Sequence, residues 1–141
     1  MRKALSLTLA LTLCISMMVV PVYAVTDDEP TVPYYINAAS ANVNLVIDDS
    51  GLATIKSTCR GISGTTSIHA TTYLEKKVNG TWSRVDIPEA NDQWINSTSS
   101  RIFSTTNTHQ LTATGNYRAV TVFVVTAGSA ETITVTSEAT Y

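Results

Sequence analysis

Cys59 and His69 are the residues whose types could make a nucleophile and its base, through a thiolate and an imidazole. The spacing argues against the pair. Cys59 shares parity with Ile55 in an alternating segment, whereas His69 is out of phase with Ile68 and Leu74, so the two side chains fall on opposite sheet faces. Cys59 therefore reads as a packed core thiol. Metal binding needs clustered donors. Asp48 and Asp49 are adjacent but lack the further oxygen ligands of a calcium loop, and His69 and His109 have no partner motif. Glu75, Asp86, Glu89, Asp92 and Glu131 supply carboxylate pairs of the kind used in glycoside cleavage, as any acidic chain does, and no Gly-x-Ser-x-Gly elbow presents a serine. No catalytic residue, metal or cofactor is expected.

Binding chemistry has better candidates. Trp94 sits among Asn91, Asp92, Gln93, Asn96 and Ser97, where an indole flanked by amides either stacks on a sugar or protein partner or folds back over a sheet edge. Trp82 is expected to cap the core. The run Tyr117 to Thr126 is apolar on both faces: Val120, Val122 and Val124 on one, Tyr117, Ala119, Phe123 and Val125 on the other. A two-residue Gly128-Ser129 turn would pair Val124 with Ile133 and Val122 with Val135, giving an exposed apolar stripe for a partner or for self-association. A three-residue turn with a bulge would instead bury Ile133 and Val135 with Phe123.

These residues are carried by short runs of Thr, Val, Ile and Tyr broken by Gly, Asn, Asp and Ser, with no sustained helical period. Ala41, Val43, Leu45 and Ile47 alternate as a half-buried strand. Asp48-Asp49-Ser50-Gly51 fits a type I turn, and the return strand puts Ala53, Ile55, Ser57 and Cys59 on one face. A third strand from about Ser67 to Lys77 turns Ile68, Ala70, Thr72 and Leu74 inward. Asn79-Gly80 supplies the positive φ angles of a type I′ hairpin, returning Trp82 to Ile87. Pro88 to Ser100 reads as a polar loop, Arg101 to Ser104 as a short strand, and Thr105 to Thr114 shows little pattern. The strand after Gly115 and a last one from Glu131 to Tyr141 bring the count to about seven. The expected fold is a single all-β, immunoglobulin-like antiparallel sandwich over residues 34–141.

The 141 residues begin with Arg2-Lys3, the apolar run Ala4 to Val20, Pro21, and a small-x-small site at Val22-Tyr23-Ala24. That order is expected to make residues 1–24 a secretory signal peptide, which would carry away Cys14. Residues 25–33, with Asp27, Asp28, Glu29 and two prolines, read as a flexible acidic leader. Residues 25–141 carry seven basic against eleven acidic side chains, near −4, and no second long apolar run. A basic nucleic-acid binder and a multi-span membrane protein are excluded on that balance. A lone Cys59 allows no intramolecular disulfide, which suits a bacterial secretory route and leaves the core to hold the domain.

Asn42 to Ile47 with Ser50-Gly51 and Ala53, Leu74 to Trp82, and Gly115-Asn116-Tyr117-Arg118 through Glu131 to Tyr141 together resemble a family of small exported Gram-positive bacterial proteins with an immunoglobulin-like domain. Gly115-x-Tyr117 also resembles the tyrosine corner of such sandwiches. The resemblance implies a fold and an extracellular location, and no activity. The expected function is a secreted, non-enzymatic module binding a protein partner or cell-surface component. A carbohydrate-binding module built on Trp94 is the alternative.

Overall fold

The computed structural model describes residues 34–141. The signal-peptide and leader readings, at 1–24 and 25–33, lie outside the described residues. Eight strands form two antiparallel sheets packed face to face, so the expected sandwich is the observed fold. One sheet contains β1 (Ala38–Ile47), β2 (Leu52–Gly61) and β6 (Ile102–Gln110), in the order β1-β2-β6. The other contains β3 (Ser67–Val78), β4 (Thr81–Arg84), β5 (Trp94–Thr98), β7 (Asn116–Ala127) and β8 (Ser129–Thr140). Its order is β4-β3-β7-β8, with β5 also paired to β3.

Local chemistry makes the turns. The Gly51 N–H donates to the Asp48 carbonyl at 2.9 Å, closing the type I turn between β1 and β2. Asp48 also accepts from the backbone N–H of Ser50 and of Leu52, both at 2.9 Å. The Ser50 hydroxyl, with these amides, holds its carboxyl below the usual carboxylate range. Asn79 at φ 52 and Gly80 at φ 84 close the β3–β4 hairpin. Tyr117, at the start of β7, donates its phenol proton to the Ala113 carbonyl four residues upstream, as a tyrosine corner does.

Two features depart from the expected organisation. β4 and β5 lie end to end along β3, their pairings offset by a nine-residue excursion over 85–93. Trp94 to Thr98 is thus a strand where a polar loop was expected. Its inward positions, Trp94, Asn96 and Thr98, mix one indole with two polar groups and mask the alternation. Likewise β6 runs to Gln110 through a stretch with little apolar pattern, because its inward residues Thr105, Asn107 and His109 are polar and only half-buried.

The β7–β8 register is the second departure. Pairing is unbroken from Asn116↔Thr140 to Ala127↔Ser129, so the turn is centred on Gly128, whose φ is 79. Phe123 therefore faces Ile133, and Val122 faces Thr134. The parity is that of the three-residue turn, without a break in the ladder.

The core has two apolar clusters. One gathers Leu45, Ile55, Leu74, Ile87, Trp94 and Tyr117; the other gathers Cys59, Ile68, Phe103, Phe123, Val125 and Ile133. Phe103 and Phe123 meet edge to face across the two sheets, centroids 5.7 Å apart. Three fully buried hydroxyls from both sheets also meet. Ser57 on β2 lies 2.8 Å from Thr121 on β7, which lies 3.0 Å from Thr72 on β3. Each hydroxyl can donate once and accept, so the set satisfies itself where unpaired polar atoms would be costly.

Candidate functional site

The structure disperses the sequence-derived site residues. Trp94 is 8% exposed and packs in the core cluster with Leu74 and Ile87. Its pairing with Thr72 gives it that residue's inward parity, so its indole offers no face to a sugar or partner. The stripe of Val122, Val124, Ile133 and Val135 does not form. Ile133 is 3% exposed inside the core and Val135 packs against both clusters, whereas Val122 and Val124 stand half-buried on the outer face opposite Thr134 and Thr132. The physical reason is the turn centred on Gly128, which shifts parity by one residue relative to the two-residue turn.

Trp82 is likewise not a core cap. The hairpin register places it opposite Lys77 on the outer face, between the Lys77 ammonium at 5.4 Å and the Arg118 guanidinium at 4.6 Å from its ring centroid. Arg118 also bonds Glu75 at 2.5 Å, and Arg84 stacks 3.5 Å over Tyr73. These aromatic faces are occupied by cations of the same chain.

Cys59 and His69 are separated as expected. The thiol is 2% exposed and His69 is on the solvent face of the other sheet. Burial, with the Glu131 carboxylate adding to it, pushes the Cys59 thiol up to about 11. It is protonated and inert at neutral pH.

A concave feature lies elsewhere. A groove of about 460 Å³ opens between the β3–β4 hairpin and the segment joining β6 to β7. Lys76, Ser83 and Asp86 line one wall and His109 and Gln110 the other, with Tyr117 beside Lys76 as its cross-strand neighbour. Lys76 continues the inward series Thr72, Leu74, but it stands where the sheets part, so its amine emerges over the Tyr117 ring at 5.5 Å. Gly115 makes room for it: a Cβ there would lie 2.9 Å from Lys76 Cε. Hydrogen bonds pin the opposite wall. Gln110 Nε2 donates to the Ser50 carbonyl at 2.7 Å, Leu111 N–H to the Gly51 carbonyl at 2.9 Å, and Tyr117 to Ala113. The excursion beside it is held by Asp92, which accepts from the Ile87 N–H at 3.2 Å.

The groove thus presents an ammonium, a carboxylate, an imidazole and an amide on fixed walls. Among the described residues the one ion pair is Arg118–Glu75, so the Lys76 ammonium has no carboxylate partner there. Val78, Val85 and Leu111 line it as well, so these few polar groups stand in a largely apolar groove, which suits an extended peptide with both kinds of side chain. The sequence reading missed it. Its signal was a lysine continuing an inward-facing series, which marks where one sheet overhangs the other.

No protein-family model matches the chain, and no curated protein matches it.

Proposed function

We propose that this domain is a secreted, non-enzymatic binding module that engages a protein partner or cell-surface component through the Lys76–His109 groove. The observation that carries the reading is the groove itself: a concave surface, pinned on one wall by hydrogen bonds, with an ammonium that has no carboxylate partner among the described residues. Export is supported by the order of charge, apolar run and small-x-small site in residues 1–24, and by the resemblance to small exported Gram-positive proteins. A non-enzymatic role is supported by the separation of Cys59 from His69 and by the raised thiol. The carbohydrate alternative loses the indole on which it rested, since Trp94 is buried.

Arrays of extended peptides and of glycans, probed with wild type and Lys76→Glu, test the reading. Peptide binding that Lys76→Glu abolishes supports it. Binding to peptides or glycans that is indifferent to the reversed charge overturns it.

A further inference from the structure

We propose that the edge of β6 that pairs with no strand among the described residues is a self-association site, where two copies pair β6 with β6 antiparallel about a twofold axis through Thr106. This goes beyond the groove and does not rest on it. Two three-stranded sheets would become one continuous six-stranded sheet.

The argument begins with the edges. A sheet edge exposes unpaired N–H and C=O groups, and folded proteins blunt such edges with charge, proline, bulges or brevity. Three of the four edges here are blunted. β1 carries a register shift between Ala38 and Ser40, and its Leu45 N–H is taken by the Ser137 hydroxyl at 3.1 Å. β8 carries Glu131 and Glu138. β4 and β5 are four and five residues long and interrupted by the excursion. β6 is nine residues long, contains no Lys, Arg, Asp, Glu or Pro, and keeps an unbroken register with β2; the N–H of its first residue, Ile102, is taken by the Ser100 hydroxyl at 3.2 Å, and the outward groups from Ser104 to Thr108 carry the pairing.

Its backbone is turned outward at defined positions. The Arg101 carbonyl accepts from Gly61 at 2.7 Å, and the Leu111 N–H donates to Gly51 at 2.9 Å. Antiparallel alternation then assigns odd-numbered residues of β6 to bonds with β2, and directs the N–H and C=O of Ser104, Thr106 and Thr108 away from the sheet. The side chains of these three residues are exposed on the outer face.

A second copy fits this edge because the edge is complementary to itself. A twofold axis through Thr106 sets Thr106 against its own copy, Ser104 against Thr108, and the 60% exposed Ile102 against the stem of Gln110. Thr–Thr and Ser–Thr pairs are favourable neighbours across strands, and no like charges meet. The nearest cation is Lys56, opposite Thr106 on β2. The two copies of Lys56 would stand three strand spacings apart, about 14 Å, beyond the screening length at physiological salt.

Sedimentation equilibrium of the full chain over about 1–300 µM tests this. A monomer–dimer equilibrium with Kd of roughly tens of µM is expected, as suits a small, polar interface. Thr106→Lys, at an exposed position, should keep the native circular dichroism and weaken the dimer at least about tenfold by placing two ammonium groups opposite each other. Ser104→Lys combined with Thr108→Glu should retain the dimer, since each Lys then faces the partner's Glu. A wild type that stays monomeric, a dimer indifferent to Thr106→Lys, or loss of the dimer in the charge-paired double variant each overturns the twofold through Thr106. None of these outcomes bears on groove binding, which the peptide arrays read separately.

Discussion

The two long sides of the sandwich are finished in different ways. Along the β1/β8 side, polar groups of one sheet are consumed by the other. Asn37 is 3% exposed and donates its side-chain amide to the Ser129 carbonyl at 2.8 Å and the Val125 carbonyl at 3.2 Å. The Glu131 carboxylate accepts from the Ile36 and Asn37 N–H groups, and Ser137 accepts from Leu45. Along the opposite side, between β6 and the β4–β5 line, only part of the length is sealed. Trp94 and Ile87 fill the gap there, and beyond them the sheets part into the groove lined by Lys76 and His109. Both sides carry polar inward residues. On the first they are bonded inside the chain; on the second His109 faces the groove, and Asn96 Oδ1 and Asn107 Nδ2 are buried without a partner. The second side is therefore where partners are expected.

The largest effect should come from the residue that ends the closed part of the open side. Trp94→Ala removes a buried indole and should destabilise the domain by about 3–5 kcal/mol, read by urea denaturation. A cost under about 1 kcal/mol would mean the indole seals nothing, and the two sides would then differ less than their contacts suggest.

On the stitched side, Asn37→Ala strips two carbonyls of their donor and should cost about 1–3 kcal/mol. An undiminished midpoint would show that these bonds are replaced by water and that the side is not sealed. The same side acts on the core thiol. Cys59 is raised from an ordinary value near 9 to about 11, first by burial and then by Glu131. Below pH 9 the thiol is protonated folded or unfolded, and its contribution is constant. Between 9 and 11 the unfolded chain ionises and the folded one does not, so stability falls across that window and levels above it. Glu131→Gln removes one of the two causes, so the native thiol should titrate lower and label faster with maleimide at high pH. Rapid labelling of the wild-type protein at pH 8 would contradict the buried assignment.

Much of the stitched side was legible in the sequence, because its strands alternate cleanly. Val43 and Leu45 in β1, and Ile55 and Cys59 in β2, declare their parity, and Asp48 to Gly51 declares the turn between them. The open side was obscure for a physical reason. Inward positions next to the gap are polar and only half-buried, with Asn96 Oδ1 and Asn107 Nδ2 themselves buried without a partner, so Thr105, Asn107, His109 and Asn96 carry no hydrophobic signal, and β5 and the length of β6 vanish into apparent loop. Of the two tryptophans, Trp82 is not the core cap expected of it, whereas Trp94 takes the second of its two readings and folds inward. Trp82 was recoverable, since the Asn79-Gly80 hairpin pairs it with Lys77, out of phase with Leu74. Trp94 was not, because its parity depends on where the excursion rejoins β3. The β7–β8 register turned on one residue at Gly128, and both faces of β7 are apolar enough to suit either parity.

The smallest effect on stability should come from the groove, and that is what makes it informative. Lys76→Met keeps an unbranched stem over Tyr117 and removes only the charge. The ammonium-to-ring contact at 5.5 Å contributes on the order of 0.5–1 kcal/mol at a solvated site, and no ion pair among the described residues is broken. The unfolding midpoint should therefore shift by no more than that. If the lysine were instead a structural member of the open side, its loss should approach the cost of Asn37→Ala and loosen the Tyr117–Ala113 corner beneath it. Near-UV circular dichroism of the tyrosine band would then change along with the midpoint. A small shift with an unchanged tyrosine band leaves the ammonium free of a folding role. The contrast between the two sides is then one of purpose as well as geometry: the same kind of polar side chain is bound into the fold at Asn37 and held available at Lys76.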